Sequence, residues 1–232
     1  MRGLQSHIGA RIPHVSGGPT PPLVPLIFTA ESVDQVDRVA LGLPFDGPAV
    51  AAKADFLANV ANPGYLTFES VTTTDVFDTV PLGPFSFDAP QAAYAATFTT
   101  TGVNGLQRTL DLLAHDVDDL GRFNTTPGLA STKILEFNDN CTITLSAPTY
   151  CFGLYATDVG DFDGQSKITI TDTTGSTTYT IPNSGIASAN GNLIFWGIVN
   201  NHPVLSATLF NVVVSPPSDV TGLDDLVVAD LL

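Results

Sequence analysis

The sequence is short of basic residues and of long apolar runs, and each shortage excludes a class of protein. Only 8 Lys and Arg residues stand against 23 Asp and Glu residues, which gives a formal net charge of -15 at pH 7. Such a surface repels phosphate groups, so we expect no nucleic-acid partner. The longest apolar stretches, such as residues 193–199, are far shorter than the roughly 20 residues of a membrane helix, so we expect no membrane partner.

Cysteine is equally scarce, which excludes a disulfide scaffold. Cys141 and Cys151 stand ten residues apart, a spacing that fits neither a zinc site nor a redox motif. A local disulfide between them and two buried free thiols are both open. Free thiols are the commoner outcome in a chain whose first residues lack the apolar core of a signal peptide.

Motifs of catalysis are also missing. The chain contains no G-x-S-x-G elbow, no P-loop and no H-E-x-x-H motif, and its four histidines are scattered along it. A glycosidase with two catalytic carboxyl groups is the weakest alternative, because 23 acidic residues offer many pairs and no local pattern marks one of them. We therefore predict that the protein is not an enzyme and requires no cofactor, with calcium left open below.

What is present divides the chain into three segments. Residues 1–30 contain Arg2 and Arg11, several prolines and no acidic residue, which predicts an extended N-terminal arm. We expect this arm to dock on a partner surface or on the chain itself; a mobile tail is the alternative. The predicted docking residues are Arg2, Arg11, Leu23, Val24, Leu26, Ile27 and Phe28.

Residues 31–63 predict a short helical linker. Ser32 and Gln35 have the spacing of a capping box ahead of an apolar i, i+3 pattern, which indicates a first helix. Asp46 and Pro48 are typical of the start of a second helix, which we expect to run from Ala49 to Val60.

Residues 64–232 predict a jelly-roll-like β-sandwich, so the fold class is all-β with an extended arm and a few short helices. About ten segments alternate apolar residues with Thr or Ser and are separated by Gly, Pro, Asn and Asp. One segment differs, since the gaps of 3 and 4 between its apolar residues predict an inserted helix. These residues are Leu106, Leu110, Leu113, Val117 and Leu120.

Three acidic residues form the best candidate for a metal site. Glu69 lies in the first strand of the predicted sandwich, and Asp224 and Asp225 lie just before the last strand. First and last strands are often neighbours in an antiparallel sandwich, and carboxylates from both would suit Ca²⁺. The alternative is that the two aspartates only form a turn after Gly222. A second acidic loop, residues 158–164, lacks the glutamate that an EF-hand requires.

Aromatic residues supply the candidates for a sugar-binding surface. Trp196, the only tryptophan, lies in an apolar run and is predicted to belong to the core. The five tyrosines are better candidates for stacking on a sugar, although their positions in the sequence do not indicate which of them cluster. They are Tyr65, Tyr94, Tyr150, Tyr155 and Tyr179.

Several stretches of the sequence are characteristic in combination: GRFNTTPG from Gly121, ITLSAP from Ile143, FGLYATDVGDF from Phe152 and GLDDL from Gly222. Together they resemble a known family, the jelly-roll-like ectodomains of PEP-CTERM-tagged exported proteins of environmental bacteria and cyanobacteria. The resemblance covers roughly residues 64–230 and implies a sandwich of lectin-like architecture with an ion site at Glu69 and Asp224 or Asp225. That family begins with a signal peptide and ends with a Pro-Glu-Pro sorting tail, which this sequence lacks.

Two functional hypotheses follow. A cationic, proline-rich arm on an acidic sandwich without export signals is similar, by analogy, to the cement and decoration proteins of bacteriophage capsids. We therefore expect a structural protein of the virion surface whose partners are neighbouring virion proteins or further copies of itself. The alternative is a carbohydrate-binding or adhesive module on a phage tail or a cell surface, with a glycan as partner.

Overall fold

The computed structural model describes residues 20–41, 43–69, 82–100, 110–114, 125, 133–138, 140–159, 165–183, 191–212 and 220–232. Within these residues lie two helices, α1 (Gln35–Ala40) and α2 (Pro48–Leu57), and eleven strands. The strands are β1 (Leu26–Ser32), β2 (Val60–Leu66), β3 (Leu82–Ser86), β4 (Ala95–Thr99), β5 (Leu110–Ala114), β6 (Lys133–Asn138), β7 (Asn140–Thr157), β8 (Gln165–Asp172), β9 (Gly175–Thr180), β10 (Leu193–Val212) and β11 (Val220–Leu231). The all-β class predicted from the sequence is confirmed.

The strands form one antiparallel sheet in the order β5-β6-β11-β7-β10-β8-β9. β1 adds to β10, β2 adds to β11, and β4 joins β7 with β3 beside it. The long strands change partner along their length: Leu193–Val199 of β10 pairs with β1, whereas Val204–Val212 pairs with β8. The sheet therefore has two halves joined by β7, β10 and β11, which gives the sandwich-like arrangement.

The long strands also change the set of side chains that faces the main core. In β10, Ile194, Trp196 and Ile198 belong to this core before the register shifts, and Ala207 and Leu209 belong to it afterwards. An extra residue in a strand reverses the alternation of its side chains. Because of the irregularity in β10, the side chains that face the main core are at even-numbered positions up to Ile198 and at odd-numbered positions from Ala207 onward. The residues at both sets of positions are apolar.

The main core is built from the inward faces of both halves of the sheet. Trp196 is completely buried in it, with its ring 5.7 Å from the ring of Tyr179. The prediction that Trp196 belongs to the core is therefore confirmed.

A second core lies between helix α2 and the opposite face of the half that contains β1. The ring of Phe56 in α2 lies 5.8 Å from Phe28 and 5.7 Å from Phe195. The helix approaches the sheet so closely that a Cβ atom at Gly197 would lie 2.9 Å from the Phe56 ring. Because this half of the sheet is buried on both faces, residues 193–199 are apolar with no polar alternation.

Helix α2 begins at Pro48, one residue before the predicted start, but it ends at Leu57, so the predicted end at Val60 is wrong because Val60 is the first residue of β2. Pro48 is its first residue and needs no N–H partner there. The N–H of Ala49 donates to Oγ of Ser32, 3.0 Å away, and Ser32 is the last residue of β1. The capping box predicted for Ser32 and Gln35 is therefore wrong, since Ser32 stabilises the second helix. No helix within the described ranges is long and apolar enough to cross a bilayer.

The predicted segment boundaries shift accordingly. β1 begins at Leu26, inside the predicted arm, and β2 begins at Val60, inside the predicted linker. The last part of the predicted arm is thus a strand of the sheet.

The helix predicted from Leu106 to Leu120 is wrong where the structure describes it. β5 pairs with β6 from Leu110 opposite Phe137 to Ala114 opposite Lys133. The stretch Leu-Asp-Leu at 110–112 also fits a period of two, and three aspartates at 116–119 would oppose the dipole at the end of a helix. Pairing with β6 supplies the backbone hydrogen bonds instead. The rest of the predicted helix lies outside the described residues.

The disulfide left open between Cys141 and Cys151 is not formed. Both are buried free thiols on β7, separated by roughly 30 Å of extended chain. Cys141 belongs to the main core and Cys151 to the second core. A disulfide needs Cα atoms within about 7 Å, so two thiols ten residues apart on one extended strand, in two different cores, do not meet.

Candidate functional site

Asp224 and Asp225 lie at an irregularity in β11. The pairing of β11 with β7 shifts between Asp224 and Val227, and Asp225 has a φ angle of 47°. Aspartate is one of the few residues that adopt this left-handed conformation readily. Both side chains are buried, with 1% and 5% of each residue exposed. Two neighbouring carboxyl groups are therefore withdrawn from water.

Lys53 of helix α2 compensates Asp225. Its Nζ lies 2.9 Å from Oδ2 of Asp225, and the two side chains are 17% and 7% exposed. The same ammonium group lies 4.4 Å from the ring centre of Tyr155 and 5.4 Å from that of Tyr65. Burial, followed by the charge of Asp225, raises the pKa of Tyr155. Asp225 is thus the partner of an ion pair between helix and sheet.

Asp224 has one satisfied oxygen and one unsatisfied oxygen. Its Oδ2 accepts hydrogen bonds from the N–H of Thr125 at 2.9 Å and from the Thr125 hydroxyl at 3.1 Å. Its Oδ1 is buried and has no hydrogen-bond partner among the residues that the structure describes. Burial, followed by repulsion from Asp225, holds the pKa of Asp224 well above its usual range. A buried polar atom without a partner costs free energy, so this oxygen is a candidate to contact a cation.

Glu69 follows β2, and its Oε1 accepts a hydrogen bond from the N–H of Lys133 at 3.1 Å. In the part of the chain that the structure describes, no three His, Cys, Asp or Glu side chains are grouped closely enough to hold a metal ion. A calcium ion held by Glu69, Asp224 and Asp225 therefore stays a prediction. The unpartnered oxygen of Asp224 is the feature that fits a cation.

The tyrosines separate into three places. Tyr65 and Tyr155 lie beside Lys53, and Tyr179 packs against Trp196. Tyr94 and Tyr150 line one open groove of about 520 Å³. The tyrosines thus form two neighbouring pairs, Tyr65 with Tyr155 beside Lys53 and Tyr94 with Tyr150 along the groove.

The groove, which we call the Tyr94–Tyr150 groove, combines aromatic and polar side chains. Both tyrosines are half-buried, and Nδ2 of the exposed Asn62 donates to Oδ2 of the exposed Asp230 at 3.0 Å. The carbonyl oxygen of Asn62 accepts a hydrogen bond from Nε2 of Gln91 at 2.8 Å, which fixes the backbone of this lining residue. The remaining lining residues are Ala61, Pro148, Thr149, Ala229 and Leu231.

The structure places the predicted docking residues in different environments. Leu23 and Val24 are 97% and 66% exposed. Leu26, Ile27 and Phe28 lie in β1, where they pair with residues 197–199 of β10, and the Phe28 ring contacts Phe56. This part of the arm therefore docks on the chain itself. Arg2 and Arg11 lie outside the described residues.

No family model matches the chain, and no curated protein matches it either. The resemblance to PEP-CTERM ectodomains and to phage virion proteins therefore stays a prediction. Several solved structures are similar to this chain, with low TM-scores. The K2 cleaved adhesin domain of Lys-gingipain matches with 11% identity and a TM-score of 0.43, covering 72% of this chain and 97% of that one.

Two further structures are similar at a lower score. A family 11 carbohydrate-binding module from Clostridium thermocellum, in complex with a mixed-linked tetrasaccharide, has 8% identity and a TM-score of 0.33, covering 74% of this chain and 98% of that one. The enzymatically active domain of tailspike protein 4 from bacteriophage CBA120 has 16% identity and a TM-score of 0.30. The match covers 60% of this chain and 19% of that one. At these scores, nothing about function is transferred from the three structures.

Proposed function

We propose that the protein is a non-enzymatic glycan-binding or adhesive module that holds a sugar in the Tyr94–Tyr150 groove. The observation that carries this proposal is the meeting of two half-buried tyrosines with an amide and a carboxylate in one open groove of about 520 Å³. Ligand sites commonly combine such a volume with aromatic walls and a few polar groups that orient the ligand.

The chemistry of the groove suits a sugar ring. Tyrosine rings offer apolar faces to the C–H groups of a sugar and keep a hydroxyl for hydrogen bonding. Asn62 supplies a donor and Asp230 supplies acceptors, and both are exposed. Because the two side chains already contact each other, they are ordered before a ligand arrives, which lowers the entropic cost of binding.

A glycan array followed by calorimetry on the strongest ligand tests the proposal. Replacing either Tyr94 or Tyr150 by Ala should weaken binding by about tenfold or more, the loss expected when an aromatic anchor is removed. Tyr179→Ala is the matched control, because Tyr179 packs against Trp196 and does not line the groove. Its affinity should equal that of the unaltered protein.

Two results would contradict the proposal. One is an array on which no glycan binds. The other is a ligand whose affinity is unchanged in both groove variants, since such a ligand would bind elsewhere. Melting curves of all variants identify any that are unfolded.

We also propose that a Ca²⁺ ion contacts Oδ1 of Asp224, with Glu69 and Asp225 as the further ligands predicted from the sequence. A ligand that binds only the folded state raises its melting temperature. Calcium should therefore raise the melting temperature of the unaltered protein more than that of Asp224→Ala. Equal responses of the two proteins to calcium and to EDTA would leave Asp224 without a role in metal binding.

A second candidate function is attachment to neighbouring subunits, as in a virion decoration protein. The observation that favours it is the exposure of Leu23 and Val24, 97% and 66%, immediately before β1. Apolar side chains exposed together often mark a contact surface.

The test deletes residues 1–24, which leaves β1 intact. Loss of self-association in ultracentrifugation, or loss of attachment to intact source particles by mass spectrometry, would support this second function. Unchanged assembly of the shortened protein would contradict it.

A further inference from the structure

Ten hydroxyl side chains form two rows across five neighbouring strands. Each row crosses β9, β8, β10, β7 and β4 in that order, with one residue from each strand. The first row is Thr178, Thr169, Thr208, Thr142 and Thr99, and the second is Ser176, Thr171, Ser206, Thr144 and Thr97. We call these ten residues the hydroxyl lattice.

The hydroxyl lattice faces away from the main core. On four of the five strands, the residue between the two rows belongs to that core. These residues are Phe98, Ile143, Ile170 and Ala207. None of the ten lattice residues is buried; Thr144, Ser176 and Thr178 are exposed, and the other seven are half-buried. The hydroxyl lattice therefore lies on the face of the sheet opposite the main core, where its side chains are at least partly exposed to solvent.

Hydrogen bonds link neighbouring members of the rows. The hydroxyl groups of Thr169 and Thr178 lie 2.8 Å apart, and those of Thr142 and Thr208 lie 2.9 Å apart. Thr171 and Ser176 make the same contact in the second row. Each hydroxyl has one donor and two acceptor positions, so a linked hydroxyl can still bind water.

Strand propensity alone does not account for this composition. Threonine is favoured on strands, but so are valine, tyrosine and isoleucine, and exposed strands also carry charged residues. All ten positions are Thr or Ser, although the chain carries 31 charged residues, 8 basic and 23 acidic. The ten lattice residues are therefore uncharged on a strongly acidic protein, and the lattice ends beside its first row at Lys167 of β8 and Phe210 of β10, which occupy the next position on the same face.

The spacing of the lattice is regular. Neighbouring strands lie about 4.8 Å apart, and residues two positions apart on a strand lie about 6.7 Å apart. Four strand spacings therefore extend each row over about 19 Å. A ligand that matches this surface must itself repeat in two dimensions.

We propose that the hydroxyl lattice binds the surface of ice. An ice surface is a periodic array of water molecules that each donate and accept hydrogen bonds, and neutral hydroxyls can take positions in such an array. Methyl groups of the threonines pack between the water molecules without competing for their hydrogen bonds. A charged side chain would orient water around itself and break the array. The rows carry neither the aromatic ring nor the charge that anchors most sugars and protein partners.

Partitioning into growing ice tests this proposal. The unaltered protein should be enriched in the ice fraction relative to a reference protein that does not bind. Thr144→Lys and Thr208→Lys each place a charge in the lattice, and their enrichment should fall to the level of the reference. Ala51→Lys is the matched control, because it adds the same side chain to the exposed face of helix α2. This control should partition like the unaltered protein.

Three outcomes would overturn the proposal. They are exclusion of the unaltered protein from ice, equal enrichment of a folded Thr144→Lys variant, and loss of glycan binding without loss of ice binding in the lattice variants. Because Thr144 is exposed, its lysine variant should keep the melting temperature and so give a clear result. Tyr150→Ala should leave ice partitioning unchanged, which separates this proposal from the glycan groove.

Discussion

Replacing Lys53 by methionine should destabilise the protein far more than the loss of an ordinary surface charge. The ammonium group of Lys53 contacts Asp225, whose side chain is only 7% exposed, and the ring of Tyr155. Methionine keeps most of the apolar length of the side chain and removes only the charge. The carboxylate of Asp225 would then be buried beside Asp224 without its cation.

The size of the effect follows from this burial. Removing one partner of a buried ion pair costs about 3–5 kcal/mol, because the remaining charge is left uncompensated. We expect about 3 kcal/mol here, since Lys53 is 17% exposed and water can reach part of the site. For a chain of this size, that loss corresponds to a melting temperature lower by about 6–12 °C.

Urea unfolding measures the difference, with the midpoint expected to fall at an unchanged slope. The matched control is Arg38→Met. Arg38 also forms a 2.8 Å ion pair, with Asp46, but those side chains are 29% and 58% exposed. Exposed pairs contribute about 0–1 kcal/mol, so the control should lose little.

A double variant completes the experiment. Asp225→Asn removes the buried charge, so Lys53→Met should cost less in its presence than alone. The reasoning would be refuted if Lys53→Met lost no more stability than Arg38→Met, or if the two changes at the buried pair were additive.

Three further predictions concern the cores and the buried acid. Gly197→Ala should cost about 1–3 kcal/mol in urea unfolding, because its Cβ would lie 2.9 Å from the Phe56 ring; an unchanged midpoint would mean that the ring moves freely. Cys141 and Cys151 should not react with a thiol reagent until the protein unfolds, because both are buried and burial raises the pKa of Cys151 to about 12; rapid labelling of the folded protein would contradict this. The raised pKa of Asp224 means that the folded state binds its proton more tightly, so in EDTA stability should fall as pH rises from the unfolded value of about 4 through the folded pKa. Asp224→Asn should make that decline in stability smaller. An identical pH profile of stability in the variant and in the unaltered protein would contradict this prediction.

Much of the fold could be predicted from local patterns. Alternation of apolar residues with Thr and Ser, broken by Gly, Pro and Asp, indicates the strands because side chains of a strand point to opposite faces in turn. Pro48 marked the start of helix α2 because proline needs no N–H partner at that position. Trp196 was assigned to the core from the apolar run around it.

Other features depended on contacts between residues that are far apart in the chain. Residues 110–114 satisfy both a helical and a strand period, and only the availability of β6 as a partner decides for the strand. Lys53 carries no local sign that it pairs with Asp225, which is 172 residues away. Asn62 and Asp230 likewise meet only because β2 pairs with β11.

The amino-acid sequence by itself determined the all-β class, the acidic surface and the residue types available for the core, because these depend on composition and on a period of two. The tertiary structure alone decided the register between strands. Register is set by packing and by irregularities such as those in β10 and β11, and a shift by one residue turns every side chain to the other face. The tyrosine groove, the buried Asp225–Lys53 pair and the two rows of hydroxyls exist only because that register is the one adopted.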